Sequence, residues 1–244
     1  MRVRRLHPDP ADEVDSLDHY PVGDDERAHL RVNMVSSVDG AAAVEGRVGM
    51  LSGGADQVLL HELRSLCDVL LVGAGTVRAE GYGRLDVADD LRSRRLDRGQ
   101  DPVPRLAILT RGIDLDLAAP VFTDASEPPL LLTTRSAPDD RVRDAAKVAE
   151  VLVVGQHHVD LRAARDELAA RGLPRILSEG GPRVLAELYD ADLVDELCLA
   201  VAPLVTCGDD LRITAGPRLG TPEHLGLANV LERDQYLFLR YTRR

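Results

Sequence analysis

Three stretches of this chain combine glycine with acidic or hydroxyl residues in a way that could hold a charged ligand. Gly73, Ala74, Gly75 and Thr76 directly follow the apolar run DVLLV. Glycines at such a place let the backbone approach a phosphate, and the free N–H groups of a helix start attract its charge. The pattern approaches a dinucleotide fingerprint but carries Arg78 where a third glycine belongs, so a plain strand-to-helix turn is the alternative. Glu179, Gly180, Gly181 and Pro182 repeat the arrangement after RILS, making a second anion nest. Glu179 is there either a ligand to a polar heterocycle or an ordinary capping acid. Ser36, Ser37, Val38, Asp39 and Gly40 close a third apolar run, where Asp39 serves chemistry or simply makes an Asx-turn. Thr110-Arg111 and Thr134-Arg135 end two more runs. An arginine at such an end, or Arg78, could pair with a 2′-phosphate and select NADP over NAD; the alternative is a solvated turn.

Other chemistries are excluded by composition. Lys147 is the only lysine among 30 basic residues, and no glycine stands near it. A P-loop and a pyridoxal-phosphate site both need a placed lysine, so both fall away. Cys67, Cys198 and Cys207 form no CxxC pair and read as buried small hydrophobes. His157-His158 has no third ligand at metal spacing, and His61-Glu62 lacks the second histidine of an HExxH, so no metal site is expected. No Gly-x-Ser-x-Gly elbow occurs. The net charge of −11 and the absence of tryptophan argue against nucleic acid. No apolar run is long enough to span a bilayer or follows the N-terminal arginines as a secretory signal would, so no membrane partner and a cytoplasmic location are expected.

Positioning such turns requires a frame, and the hydropathy pattern supplies one. Residues 9–26 hold eight acids, no lysine or arginine, and punctuating prolines; they are expected to form an extended acidic arm, with residues 1–29 an N-terminal extension and 30–244 a single domain. LRVNMVSS reads as a strand broken at Asp39-Gly40, and AAAVEGRVGML as an irregular loop. ADQVLLHELRSL has helical spacing, and DVLLVG is a short buried strand. Strands at RLAILT, LLLTT, EVLVVG and RILS alternate with helices near 138–148, in DLRAARDELAARG and in PRVLAELYDADL. VDELCLAVAPLV is the longest apolar strand, and the C-terminus reads as an antiparallel hairpin about Arg233-Asp234. The class is therefore α/β, a doubly wound and mainly parallel sheet with an antiparallel C-terminal hairpin. Residues 84–101, with five arginines and five acids, are expected to be an exposed loop.

SSVDG, LSGGADQVLLHELRS, DVLLVGAGTVRAEGYG and ILSEGGPRVLAELYDADLVDELCLAVAPLV follow one another in this order. Over roughly residues 30–242 the chain resembles the reductase domain of the bifunctional riboflavin-biosynthesis deaminase–reductase, and within that family its stand-alone actinobacterial members. The resemblance implies a dihydrofolate-reductase-like fold. The deaminase signature, HxE with PCxxC, is absent. It further implies that NADPH lies over Gly73, Gly75 and Thr76 and over Gly180 and Gly181, with the helix start at Pro182, Arg183 and Val184 receiving phosphate. Glu80 matches a further cofactor-contacting position of the family, and Arg111, read from its strand-end place alone, is added to the cofactor contacts. Arg64 and Glu179 match substrate-holding positions, and Asp39 matches the aspartate of the family's SLDG motif beside the nicotinamide. Asn33 stands where the family carries a lysine, and Gly81-Tyr82-Gly83 replaces its Asp-Pro and Leu-Thr-x-Arg, so the substrate side is rebuilt.

The expected reaction is NADPH-dependent reduction of 5-amino-6-(5-phosphoribosylamino)uracil to the ribityl compound, with a raised pKa on Asp39 or Glu179, or a bound water, as proton source. Dihydrofolate (pterin) reduction is the alternative within the fold, and a nucleotide-binding sensor without turnover the alternative of another class. A homodimer is expected because VDELCLAVAPLV and the hairpin would expose apolar strand edge.

Overall fold

The computed structural model describes residues 1–23 and 27–244. Its strands are β1 (Arg2–His7), β2 (Ala11–Asp15), β3 (His29–Ser37), β4 (Val69–Gly73), β5 (Arg105–Leu109), β6 (Leu130–Thr133), β7 (Glu150–Val153), β8 (Arg175–Ser178), β9 (Glu196–Ala202), β10 (Leu225–Arg233) and β11 (Tyr236–Arg243). Its helices are α1 (Gly54–Arg64), α2 (Ala74–Glu80), α3 (Asp89–Asp97), α4 (Pro120–Thr123), α5 (Asp139–Ala145), α6 (Leu161–Ala170) and α7 (Pro182–Asp190). The strands form one sheet in the order β2-β1-β10-β11-β9-β3-β8-β4-β5-β6-β7. From β9 to β7 all pairings are parallel, while β11, β10, β1 and β2 pair antiparallel. The α/β class and the antiparallel C-terminal hairpin are as the alternation of patterns implies. The hairpin turn itself falls one residue later than the pattern suggests, at Asp234 and Gln235, both with positive φ.

Local chemistry explains the helix limits. Asp160 caps α6 by accepting from the Arg162 and Ala163 N–H groups, and Gly172 ends the turn at φ +78°. Pro182 opens α7, where its missing N–H costs nothing. One sheet face packs Leu70, Val72, Ile108 and Leu131 against Leu59 and Leu63 of α1. The other packs Leu71, Ala107, Leu130 and Leu132 against Leu168 of α6 and Leu185 and Leu188 of α7. Residues buried on both faces of the parallel strands account for their unbroken apolar runs.

Three expectations are corrected by tertiary packing. Residues 9–23 are not a free arm: β1 pairs with β10, β2 adds to β1, Tyr20 is buried, and Ser16 Oγ donates to Glu62 of α1 at 2.5 Å. Asp12 and Glu13 are both exposed on this edge strand, where pairing with β1 is irregular and Glu13 takes a positive φ, so these acids never had to be buried. Asp24–Glu26 of that stretch lie outside the described residues. Residues 84–101 are not simply a loop: they contain α3, and Arg95 is fully buried. β9 has no free edge, since β3 and β11 pair with it on either side. Cys67 and Cys198 are buried, and burial pushes each thiol up to about 12, but Cys207 is exposed.

Candidate active site

The two glycine turns meet because β4 and β8 are neighbours. Gly73 donates its N–H to the Gly180 carbonyl at 2.8 Å, and Glu179 donates to the Leu71 carbonyl at 3.1 Å. Gly73 caps α2 and Gly181 caps α7, and neither helix start has a side-chain cap. Their first-turn N–H groups are therefore available to an anion, which suits the pyrophosphate of a dinucleotide. Each glycine has its own reason. A Cβ on Gly73 would lie 2.9 Å from Val184 of α7, so Gly73 permits helix packing. A Cβ on Gly75 would meet nothing within 4 Å and would project into the space above the turn. Gly180 sits at φ +76°, and a Cβ on Gly181 would approach Thr76 Oγ1 to 3.1 Å.

Beside this cradle lies a cavity of about 390 Å³, between β3, α1 and the segment after α2. Asn33, Arg64, Thr76, Glu80 and Glu179 all line it, so the structure brings these five sequence candidates together. Arg64, at the end of α1, forks onto Glu179 through Nε and Nη2, both at 2.6 Å. Tyr82 donates its hydroxyl to Glu179 Oε2 at 2.7 Å, and its ring lies 6.0 Å from the guanidinium carbon. Burial pulls the Arg64 pKa down, but the hydrogen bond and charge of Glu179 outweigh it and leave Arg64 above the ordinary arginine value. Burial also raises Tyr82, with Glu179 adding to the effect, so it remains a donor. Both Glu179 oxygens are thus engaged, which suits it to fixing the cation rather than passing a proton.

Asp39 is corrected as a raised-pKa acid. Its carboxylate accepts from Ser37 Oγ at 2.5 Å and from the Cys207 and Thr206 N–H groups, at 2.8 Å and 3.2 Å. These donors hold it at about 2. It is exposed and braces the 37–41 turn against the loop after β9. Arg78 donates to the Asp114 carbonyl at 2.6 Å and is committed there. Arg111 and Arg183 have exposed side chains at strand and helix ends outside the cavity.

Two cavity residues escaped the sequence reading. Asp56 is buried in the first turn of α1, bonded to Ser52, and burial is the largest cause raising its pKa. The signal was its spacing: Asp56, Leu59 and Leu63 fall on one helical stripe, so an acid sits on the apolar face. Tyr82 was marked only by being an aromatic between two glycines. Among the described residues no cluster of His, Cys, Asp and Glu could hold a metal.

The family profile of the RibD C-terminal domain matches residues 28–235. The 2,5-diamino-6-ribosylamino-4(3H)-pyrimidinone 5′-phosphate reductase of Archaeoglobus fulgidus is 31% identical over 185 residues, covering 75% of this chain and 84% of that one. The enzyme of the same name from Aquifex aeolicus is 28% identical, covering 82% and 92%. Among solved structures, a pyrimidine reductase-like protein of Corynebacterium diphtheriae superposes with a TM-score of 0.80 at 28% identity, covering 88% of this chain and 91% of that one.

Proposed function

This chain belongs to the RibD C-terminal domain family and is a pyrimidine reductase of riboflavin biosynthesis, and we propose that it reduces the ribose of a 6-ribosylaminopyrimidine 5′-phosphate to the ribityl compound, using NADPH. The observation that carries this reading is the single cavity in which the Arg64–Glu179 fork and buried Asp56 adjoin two uncapped helix starts. The 2,5-diamino base is favoured over the uracil expected from sequence, because the relatives of that name match over most of their length.

When bound, the nicotinamide supplies a hydride for the open-chain imine carbon. The Gly73–Thr76 turn and the start of α7 would hold the pyrophosphate by backbone donors. Arg111 and Arg135, exposed beyond β5 and β6, are the cations free to meet a 2′-phosphate. The imine nitrogen must gain a proton as its carbon gains the hydride. Asp56 is assigned as that donor, since burial keeps its proton to higher pH than an ordinary aspartate. Asp39 positions the loop.

Turnover is tested by loss of NADPH absorbance with the diaminopyrimidinone, with the uracil and with dihydrofolate. Dihydrofolate is the second reading because Asn33 sets a neutral amide in the cavity. Reduction of the diaminopyrimidinone supports the proposal; reduction of dihydrofolate alone overturns it, and no turnover at all returns the chain to a binding role. We further propose a homodimer, on a corrected basis. Leu199, Val201, Val230, Leu237 and Leu239 lie cross-strand on one face of β9, β11 and β10, half buried or exposed. It is the face, not an edge, that a second copy would cover. Sedimentation at the monomer mass of 26.5 kDa would count against it.

A further inference from the structure

The detour of residues 84–101 borders the cavity at its start and then runs through α3, outside the cofactor cradle. It carries Arg95, the largest completely buried side chain among the described residues. No carboxylate lies within ion-pair distance of this guanidinium among the described residues; its Nε and Nη1 donors go to main-chain carbonyls, and Nη2 is buried without a hydrogen-bond partner. Nη1 reaches the carbonyls of Cys67 at 2.5 Å, Ser65 at 3.1 Å and Arg64 at 3.4 Å, and Nε reaches that of Asp101 at 2.7 Å. The carbonyls of Arg64 and Ser65 are ones that the end of α1 leaves without helical partners, at the negative end of its dipole, and that of Cys67 follows two residues beyond the cap. Two neighbours strengthen the grip. Arg98 donates to the Ser65 carbonyl at 2.9 Å, and Gln100 donates to Asp68 at 2.9 Å.

Arg64 is the last residue of α1, and its side chain forks Glu179 in the cavity. The detour begins just after Tyr82, the other partner of Glu179, and Arg84 and Leu85 also line the cavity. One segment therefore holds the backbone under Arg64 and borders the side chain that closes on the same carboxylate. A buried cation without a carboxylate is expensive to keep, and an apolar side chain of similar length could fill the same volume. The charge must be kept for what it holds. We propose that Arg95 is a positioning residue for the substrate pocket: it fixes the Arg64–Cys67 main chain so that the Arg64 guanidinium meets Glu179 in register. This rests on the reading of the cavity as the pyrimidine site.

The test is a double-mutant cycle in the full-length chain, comparing Arg95→Met, Arg95→Lys, Arg64→Ala and Arg95→Met with Arg64→Ala. KM and kcat are measured for whichever pyrimidine is reduced, with NADPH affinity by calorimetry. Arg95→Met is expected to raise KM about 10-fold or more with NADPH affinity within about twofold, and Arg95→Lys to recover part of the loss. On the Arg64→Ala background the same change should add less than about threefold, because the group it aims is gone. Should Arg95→Met fail to fold, Arg95→Lys runs the same cycle, and Arg98→Met runs it on the Ser65 carbonyl that both arginines hold. An unchanged KM in folded Arg95→Met, or its full effect repeated on Arg64→Ala, overturns the proposal. An Arg64→Ala variant with normal KM overturns the cavity reading itself, and the proposal with it.

Discussion

Removing Arg64 should both weaken the fold and empty the pocket of its cation, by amounts that the geometry bounds. Arg64 and Glu179 are joined by two bonds of 2.6 Å, with side chains 17% and 7% exposed. Arg64→Ala leaves a buried carboxylate with only the Tyr82 hydroxyl. Breaking such a pair from one side costs about 3–5 kcal/mol. The surviving Tyr82 bond and the partial exposure of Arg64 place this case at the low end, about 3 kcal/mol. At about 2–4 °C per kcal/mol for a domain of this size, Tm should fall by about 6–12 °C. Removing both charges, as Arg64→Met with Glu179→Leu, should recover much of that loss, since no charge is then stranded. The assay is urea unfolding of both singles and the double, with steady-state rates alongside. Additivity within about 0.5 kcal/mol would show that the pair is not coupled, and the account of the pocket wall would be refuted. The kinetic arm expects Arg64→Ala to cost about 1.5–3 kcal/mol in kcat/KM if its charge also meets the substrate.

Asp56→Asn should lower kcat about 10²–10⁴-fold and remove the fall in kcat expected of the wild type as pH rises through the elevated Asp56 pKa; a retained pH limb would assign the proton elsewhere. The same elevation makes Asp56 bind its proton more tightly folded than unfolded, so the stability it confers at low pH is lost as pH rises from the unfolded value through the folded one. Gly75→Val should fold with unchanged Tm, because its Cβ meets no atom within 4 Å, yet bind NADPH about 100-fold more weakly in calorimetry. Asp39, held at about 2 against 3.8 unfolded, supports the fold above pH ~4, and that support disappears as pH falls toward 2; Asp39→Asn should abolish that part of an acid unfolding curve while leaving NADPH affinity within a few-fold. NADPH should bind more tightly than NADH, with Arg111→Ala narrowing the gap; equal wild-type affinities would remove the 2′-phosphate contact.

Much of this protein could be read before any fold was known. The alternation of apolar runs with 3.6-residue patterns located the parallel strands and their helices, because both periods are properties of neighbouring residues. The glycines at 73, 75, 180 and 181 were legible as strand-end turns for the same reason: a turn between a strand and a helix start is local chemistry. The acidic N-terminal stretch and residues 84–101 were misread because their charge suggested solvent. In the fold, an irregular edge strand leaves Asp12 and Glu13 both exposed, while Arg95 is buried on carbonyls at and just beyond the end of α1. Asp39 looked like a candidate acid until the loop carrying Thr206 and Cys207 supplied the donors that hold it ionised. Arg64 and Glu179 were each visible as candidates, but their pairing spans 115 residues of chain and exists only because β8 lies between β3 and β4. Periodicity and turn chemistry act between residues close in sequence, so the chain alone determined most of its elements and where its glycine turns fall. Desolvation and charge pairing act between residues close in space, so only the tertiary structure decided which acid's pKa burial raises, which cation is held, and what holds it.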